Sequence, residues 1–234
     1  MDEVLVDFQA ADLTSLTVFV GIIIYILAAV VLGVYTASVE LGGPAKRRAA
    51  VVAVGLILWL MFVSAVVGSG SLAASPMPSL MLFMVGSNLV AIALALSPIG
   101  GWLATGLAVR TLVAFQIFRL PLELVLHQWA ESGTIPQTMT WSGYNFDIIS
   151  GVLALAVTLF AGTNRLAAWM FNIVGFSLLA NVIRVAVMSL PLPFAWGTNP
   201  PLMLGFHLPY ALIVPVCVGG AMAGHIVLTR ALLK

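Results

Sequence analysis

The chain has 234 residues, of which 62% are hydrophobic and only 7% are charged, and its formal net charge is +1. Soluble domains average about 45–50% apolar and about 25% charged residues, so this composition excludes an ordinary soluble domain, and it equally excludes a disordered chain. A net charge near zero leaves no basic field with which to hold nucleic acid. The sequence therefore predicts one polytopic domain, residues 1–234, of the all-α membrane-protein class.

Seven stretches are apolar and long enough to cross a bilayer, which takes about 20 helical residues. In chain order they are residues 13–35, 49–67, 80–96, 104–129, 146–161, 168–190 and 208–228. Clusters of Gly, Ser and Pro mark turns between them, for example Gly42-Gly43-Pro44 and Ser97-Pro98. The fifth stretch is the shortest, and polar Asp147 and Ser150 lie at its start. We expect a bundle of seven transmembrane helices.

The basic residues predict how this bundle is oriented. Six of them lie in the connections after the first, fifth and seventh stretches, and the opposite connections have none; they are Lys46, Arg47, Arg48, Arg165, Arg230 and Lys234. Because Lys and Arg accumulate in cytoplasmic loops, we expect an extracytoplasmic N-terminus and a cytoplasmic C-terminus. Arg110 is expected to anchor at the cytoplasmic interface by extending its guanidinium to water. The acidic N-terminal segment lacks the basic start of a cleavable signal, so we expect the first helix to be retained.

The fourth stretch carries a polar stripe formed by Gln116, Arg119, Glu123 and His127, whose spacings of three and four residues place them on one helix face. Arg119 is expected near the bilayer midplane, about 15 Å from Trp129. Because a charge at the centre of a membrane helix costs about 2.5–3.5 kcal/mol, the stripe should face the bundle interior. Arg119 and Glu123 are one turn apart and are expected to neutralise each other. Pro121 between them predicts a bend.

Further polar residues lie in the outer halves of later stretches; they are Asn145, Asp147, Asn181, Arg184, His207 and Tyr210. Together with the stripe they are predicted to line a polar pocket open to the extracytoplasmic side. Two arginines against Glu123 and Asp147 would make this pocket formally neutral. The Arg119 and Arg184 pair would suit a carboxylate or phosphate ligand. The alternative is a buried network that only holds the helices in register.

No cofactor is predicted for the pocket. Glu123, His127, Asp147 and His207 are candidate zinc ligands, but the sequence has neither an HxxxH nor an HExxH pair. A haem between His127 and His207 would lack an attachment motif.

Three functions stay open at this point. The first is a membrane protein that binds a small polar or anionic ligand in an outward-facing intramembrane pocket, for transport or for sensing. The second is an intramembrane hydrolase, with or without a metal, that acts on lipid at the outer leaflet. The third is a non-catalytic structural membrane subunit. Whether the protein is an enzyme is left open.

The segment from Gln116 to Glu123, followed by Ile135-Pro136, Met139-Thr140 and residues 143–147, resembles a recurring pattern in an uncharacterised group of bacterial seven-helix integral membrane proteins. The resemblance covers about the second half of the chain and implies no activity. It implies a location in the bacterial inner cell membrane. The expected partners are the lipid bilayer and the small ligand, with a second copy of the chain or a cytoplasmic protein as further partners, because sensing would need a cytoplasmic domain that the short inner loops lack.

Overall fold

The computed structural model describes residues 8–74 and 76–234, and every regular element in them is helical. Asp2, Glu3 and Asp7 of the acidic N-terminal segment lie outside the described residues, as does Ser75. The α-helices are α1 (Leu13–Glu40), α2 (Ala45–Gly68), α3 (Ser71–Ala74), α4 (Pro76–Leu96), α5 (Pro98–Gly106), α6 (Val109–Phe115), α7 (Arg119–Glu131), α8 (Ile148–Phe160), α9 (Arg165–Met188) and α10 (Gly219–Leu232).

Among the described residues, five helical segments are long and apolar enough to cross a membrane: Leu13–Glu40, Ala45–Gly68, Pro78–Leu96, Arg165–Met188 and Tyr210–Leu232. The first four of them carry exposed large apolar side chains, among them Leu32, Met61, Leu82 and Ile173. Such side chains suit contact with lipid rather than with water. The predicted class, an all-α membrane protein, is confirmed at this level.

The predicted fourth helix, residues 104–129, is divided near its start. α5 ends at Gly106, and Leu107 and Ala108 are extended before α6 begins. Gly106 lies where α5 crosses α1, and a Cβ at this position would be 2.6 Å from the carbonyl oxygen of Ala37. The residue type therefore allows a helix contact that any larger side chain would prevent.

A bend was expected around Pro121, and the interruption of the helix lies about one turn earlier in the chain. A short 3₁₀ turn, Gln116–Phe118, separates α6 from α7. Pro121 falls in the first turn of α7, where its missing N–H removes no intrahelical hydrogen bond. Residues 109–131 consequently form one interrupted helical segment of about 35 Å, comparable to a hydrocarbon core of about 30 Å.

The fifth and seventh predicted stretches also differ from simple spans. α8 has 13 residues, so it is about 20 Å long and too short to cross the hydrocarbon core alone. The seventh segment starts as a 3₁₀ turn at Tyr210–Ile213, continues as a π-helical turn at Val214–Val218 that contains Pro215, and becomes α10. α10 lies at the centre of the bundle, in contact with α4, α5, α6 and α9.

Basic side chains tie several connections together at one end of the bundle, which we call the basic end. Arg48 lies 4.1 Å from the ring centre of Trp102. The remaining contacts of the basic end are hydrogen bonds from Arg165 to the carbonyl of Leu232, from Arg230 to the carbonyls of Ala95 and Ser97, and from Lys234 to Thr105. The loops of residues 132–147 and 189–209 meet at the other end, which we call the opposite end, where the hydroxyls of Thr138 and Ser189 are 2.7 Å apart.

Candidate functional site

Arg119 and Asp147 form a buried ion pair between α7 and the start of α8. Their exposed fractions are only 1% and 5%. Arg119 Nε donates to Asp147 Oδ2 at 2.6 Å, and Arg119 Nη2 donates to Oδ1. Ser150 Oγ donates to the same Oδ1 at 3.0 Å. The guanidinium thus holds the carboxylate in the two-point geometry that arginine favours.

This ion pair corrects the expectation that Glu123 neutralises Arg119 within one helix. The carboxylate that meets the guanidinium is instead that of Asp147, from a different helix. Asn145 Oδ1 accepts a hydrogen bond of 3.0 Å from the backbone N–H of Asp147 and so fixes the entry into α8. A two-point ion pair needs a carboxylate that faces the edge of the guanidinium, and the carboxylate of Asp147 has this position.

The remaining guanidinium nitrogen of Arg119 begins a hydrogen-bonded chain towards the basic end. Nη1 donates to the carbonyl of Gly175 at 3.3 Å and lies 2.9 Å from His225 Nε2. Since arginine only donates, His225 Nε2 accepts, and Nδ1 carries the proton that is donated to Asn172 Oδ1 at 2.8 Å. Asn172 Nδ2 donates to Thr229 Oγ1 at 2.7 Å, and Thr229 donates to the carbonyl of His225 at 2.9 Å.

His225 and Asn172 are site residues that were not predicted from the sequence. His225 is fully buried, and Asn172 is 3% exposed. Asn172 follows Arg165 by seven residues, and His225 precedes Arg230 by five, so both lie about 8–10 Å inside their helices. Counting depth from these basic residues would have shown two polar side chains well inside apolar helices.

Glu123 is equally buried but has fewer partners than Arg119. Its exposed fraction is 1%. Asn145 Nδ2 lies 3.1 Å from each carboxyl oxygen and also donates to the carbonyl of Met139 at 3.0 Å. Within the described chain, no basic side chain lies within 4 Å of the Glu123 carboxyl. Gln116 completes the buried stripe and donates to the carbonyl of Ala221 at 3.0 Å.

Glu123, Arg119 and Asp147 border a cavity of about 870 Å³, a volume that includes the solvent at its mouth. Its walls are otherwise mainly apolar and come from several helices, with Leu80, Met84, Leu122, Leu126, Leu179 and Val182 among them. Asn88 of α4 adds another polar group to the wall. Its Nδ2 donates to the carbonyl of Met84 at 2.9 Å, whereas its buried Oδ1 has no partner among the described residues. The cavity also reaches Leu202 and Leu204, which belong to the opposite end.

Asn181 and Arg184 form a separate group outside this cavity. Arg184 is exposed and donates to Asn181 Oδ1 through Nε at 3.2 Å and Nη2 at 2.8 Å. The expected neutral set of two arginines and two carboxylates is therefore wrong: the cavity wall has Arg119, Glu123 and Asp147, and Arg184 is not part of it. The predicted anion clamp of paired arginines does not form.

The predicted histidines and Tyr210 lie in two further places. His127 stacks on Trp141 with ring centres 4.1 Å apart, and its Nε2 is 3.4 Å from Glu131. His207 stacks on Phe8 at 4.0 Å. The hydroxyl of Tyr210 accepts a hydrogen bond from the backbone N–H of Ala11 at 2.9 Å.

The candidate zinc ligands Glu123, His127, Asp147 and His207 are consequently not brought together. Across residues 8–74 and 76–234, no group of three or more His, Cys, Asp or Glu side chains is placed to hold a metal ion. The pairing of His127 and His207 around a haem is not formed either, because each ring stacks on a different aromatic residue.

Fold and site define an all-α membrane protein with a buried charged network beside a largely apolar cavity. In comparisons with known proteins, no family model, no curated protein and no solved structure matches the chain.

Proposed function

We propose that the protein binds a small molecule in the cavity beside Glu123, and that it does so to transport or to sense this molecule. The ligand has an apolar body and one polar head that donates hydrogen bonds or carries a positive charge. The observation that carries this proposal is the Glu123 carboxyl, buried in an apolar cavity wall with one amide as its hydrogen-bond partner.

The polar groups with spare capacity in the cavity wall are hydrogen-bond acceptors. Glu123 has unused lone pairs, and Asn88 Oδ1 has no partner among the described residues. Asn88 Nδ2 is already bound to the carbonyl of Met84, which fixes the orientation of the amide. The donors of Arg119 are directed at Asp147, Gly175 and His225. An ammonium or hydroxyl head would therefore find partners, whereas a carboxylate would approach two carboxyl groups.

The apolar walls indicate the remainder of the ligand. Binding pockets for small molecules combine apolar walls with a few polar groups, and the lining of this cavity has that composition. Leu122, Leu126 and Leu179 would bury an alkyl or aromatic body. This burial would favour binding by about 25 cal/mol for each Å² of apolar surface removed from water.

The membrane placement is part of the same proposal. We infer seven crossings, in which residues 109–131 form the fourth and residues 145–161 the fifth. The basic end faces the cytoplasm because basic residues favour that side, and the cavity then faces outward through the opposite end. A bacterial inner membrane is the proposed location.

A thermal-shift experiment on the purified protein in detergent tests the proposed ligand class. The probes are octylamine, octanol and octanoate at equal concentration, because they share an apolar chain and differ in the head. We expect octylamine to raise the melting temperature, octanol to raise it less, and octanoate to leave it unchanged.

Glu131→Gln is the matched control for Glu123→Gln, since it removes an exposed carboxylate from the same helix. The octylamine shift should be lost in Glu123→Gln and kept in Glu131→Gln. Equal shifts in both variants would show that the amine acts through the micelle and would contradict the proposal. A larger shift with octanoate than with octylamine would establish an anionic ligand instead.

A further inference from the structure

α9 has one exposed stripe that runs along its length and ends at Arg184. Its members, spaced three or four residues apart, are Leu166, Met170, Ile173, Ser177, Ala180 and Arg184. The spacing places them on one helix face. Leu166, Met170 and Ile173 are each more than 60% exposed, so in a membrane this face contacts acyl chains.

The depth of Arg184 corresponds to the membrane interface at the opposite end. Arg165 at the other end of α9 is bound to the carbonyl of Leu232 at the basic end. Arg184 follows Arg165 by 19 residues, or about 28 Å along a helix, and the hydrocarbon core is about 30 Å thick. With Arg165 at one interface, the guanidinium of Arg184 reaches the level of the lipid phosphates at the other.

Neighbouring groups hold the Arg184 guanidinium in place. Two of its nitrogens donate to Asn181 Oδ1, and Asn181 Nδ2 in turn donates to the carbonyl of Tyr144 at 2.7 Å. The guanidinium carbon lies 5.5 Å from the ring centre of Trp196. The rings of Tyr144 and Trp196 are 5.0 Å apart, as in the aromatic belts of membrane interfaces.

Arg184 also needs an anion from outside the described chain. None of the described acidic side chains lies within 4 Å of its guanidinium, and Nη1 makes no hydrogen bond within that part of the chain. A cation on a lipid-facing helix face is stabilised when it reaches a phosphate. The planar guanidinium matches a phosphodiester in two-point geometry, and its fixed position reduces the entropy lost on binding.

We propose that Arg184, Asn181 and Trp196 form a headgroup site for an acidic phospholipid at the interface of the opposite end. The phosphodiester accepts hydrogen bonds from Nη1, and the acyl chains lie along the exposed stripe of α9. A net negative headgroup is preferred over a zwitterionic one, because the second headgroup charge would repel the guanidinium. This site shares no residue with the cavity wall, so it stands apart from the proposed ligand.

Fluorescence quenching at Trp196 tests this site in bicelles. The Trp196 signal is the difference between the emission of the full chain and that of its Trp196→Phe variant. Phosphatidylglycerol with brominated acyl chains is titrated into phosphatidylethanolamine, and brominated phosphatidylethanolamine is the comparison. We expect Trp196 to be quenched at a lower fraction of phosphatidylglycerol than of phosphatidylethanolamine.

The Trp196 signal of Arg184→Gln is obtained in the same way, by subtracting the emission of the double variant Arg184→Gln with Trp196→Phe. The phosphatidylglycerol fraction that gives half-maximal quenching should rise about tenfold, because one charge-assisted hydrogen bond is lost. Arg110→Gln is the control, because it removes an exposed arginine elsewhere and should leave the Trp196 signal unchanged. Arg184→Lys should restore the preference in part. An unchanged melting temperature in Arg184→Gln would show that the fold is retained.

Four outcomes would overturn the proposal. Equal quenching by the two lipids would show that the site has no headgroup preference. An Arg184→Gln variant that behaves like the wild type would show that Arg184 does not bind the headgroup. Displacement of the lipid by millimolar inorganic phosphate would show a general anion site. A preference that appears only after Asp2, Glu3 and Asp7 are neutralised together would show that the chain itself supplies the anion.

Discussion

Arg119 and Glu123 lie one turn apart on α7 and are almost equally buried, yet their surroundings differ. The guanidinium contacts a carboxylate, a carbonyl and an imidazole, whereas the Glu123 carboxyl contacts one amide. A buried polar group whose partners are complete stabilises one arrangement of helices, and one with spare capacity is available to a ligand. We therefore assign the Arg119 network to the architecture, whereas the proposed binding role belongs to Glu123.

The Arg119 assignment predicts a large effect of breaking the ion pair from one side. Asp147→Asn leaves the guanidinium buried without a counter-charge and should lower the free energy of unfolding by about 3–5 kcal/mol. The double variant Arg119→Met with Asp147→Leu should lose clearly less free energy of unfolding than the single variants Arg119→Met and Asp147→Leu lose in sum. Unfolding in mixed micelles with increasing sodium dodecyl sulfate measures both. Additive losses would contradict a coupled pair, and Glu123→Gln serves as a buried control expected to change stability little.

The residues of this network could be predicted only in part from the sequence. Helical spacing correctly placed Gln116, Arg119 and Glu123 on one buried face, because that face depends only on positions within a single helix. The pairing with Asp147 depends on how residues 132–147 fold back, and the sequence pattern has no information on that path. The sequence did not indicate His225, because its contacts with Arg119 and Asn172 depend on how α10 packs against α7 and α9.

At the level of elements, the helices approach Arg119 closely because small residues face it. Gly151 of α8 packs on the backbone of α7, where a Cβ would be 2.5 Å from the backbone nitrogen of Leu120. At Gly175 of α9, a Cβ would be 2.6 Å from His225 Cε1. Short helix-to-helix distances of this kind are typical of membrane bundles with small residues at the contact.

Gly151→Ala therefore should destabilise the protein even though alanine is the better helix former. The clash is with backbone, which cannot rotate away, so we expect a loss of about 1–3 kcal/mol in the free energy of unfolding. Gly21→Ala in α1 is the matched control, since no atom lies within 4 Å of its added Cβ. That control should be neutral or gain up to about 1 kcal/mol. Equal effects of both substitutions would show that α8 does not pack tightly on α7.

The N-terminus of α1 gives a pH-dependent prediction. Asp12 accepts hydrogen bonds from the Ser15 hydroxyl and from the backbone N–H groups of Thr14 and Ser15, and these bonds lower the pKa of Asp12 below its ordinary 3.8. Its capping contribution is thus complete above 3.8 and is lost as the pH falls through the lower folded value. Against Asp12→Ala, the wild type should have the higher melting temperature at pH 7. The difference should shrink below pH 4, and a constant difference would contradict capping by the carboxylate.

The sequence predicted which elements are apolar better than how each one is built. Hydropathy found the stretches that contain α1, α2, α4, α9 and α10, because length and apolar content depend on composition alone. It joined the last turn of α5 to the segment of residues 109–131, since two extended apolar residues interrupt a helix without changing hydropathy. The π-helical turn at Val214–Val218 was equally invisible to it.

At the scale of the molecule, the polar network lies between two apolar clusters. One cluster includes Leu122 and Trp129, and the other, towards the basic end, includes Val113, Phe171 and Leu228. Arg119, Gly175 and His225 fall between these sets along their helices. The network thus joins two halves of the bundle that would otherwise contact each other through apolar side chains, and the cavity lies on the side of the opposite end.

The proposed arrangement of seven crossings predicts which connections are accessible from outside the cell. In a Cys217→Ala background, a membrane-impermeant maleimide should label Ser142→Cys on intact cells and should label Asn164→Cys only after permeabilisation. These exposed sites flank α8, so they test whether a segment with a helix of 13 residues crosses the membrane. Ser69→Cys and Glu40→Cys flank the 24-residue α2 and are the matched controls, with Ser69→Cys labelled outside. Labelling of both Ser142→Cys and Asn164→Cys on intact cells would show that α8 enters and leaves on one side. If the sites expected outside were protected and those expected inside were labelled on intact cells, the orientation would be the opposite of the proposed one.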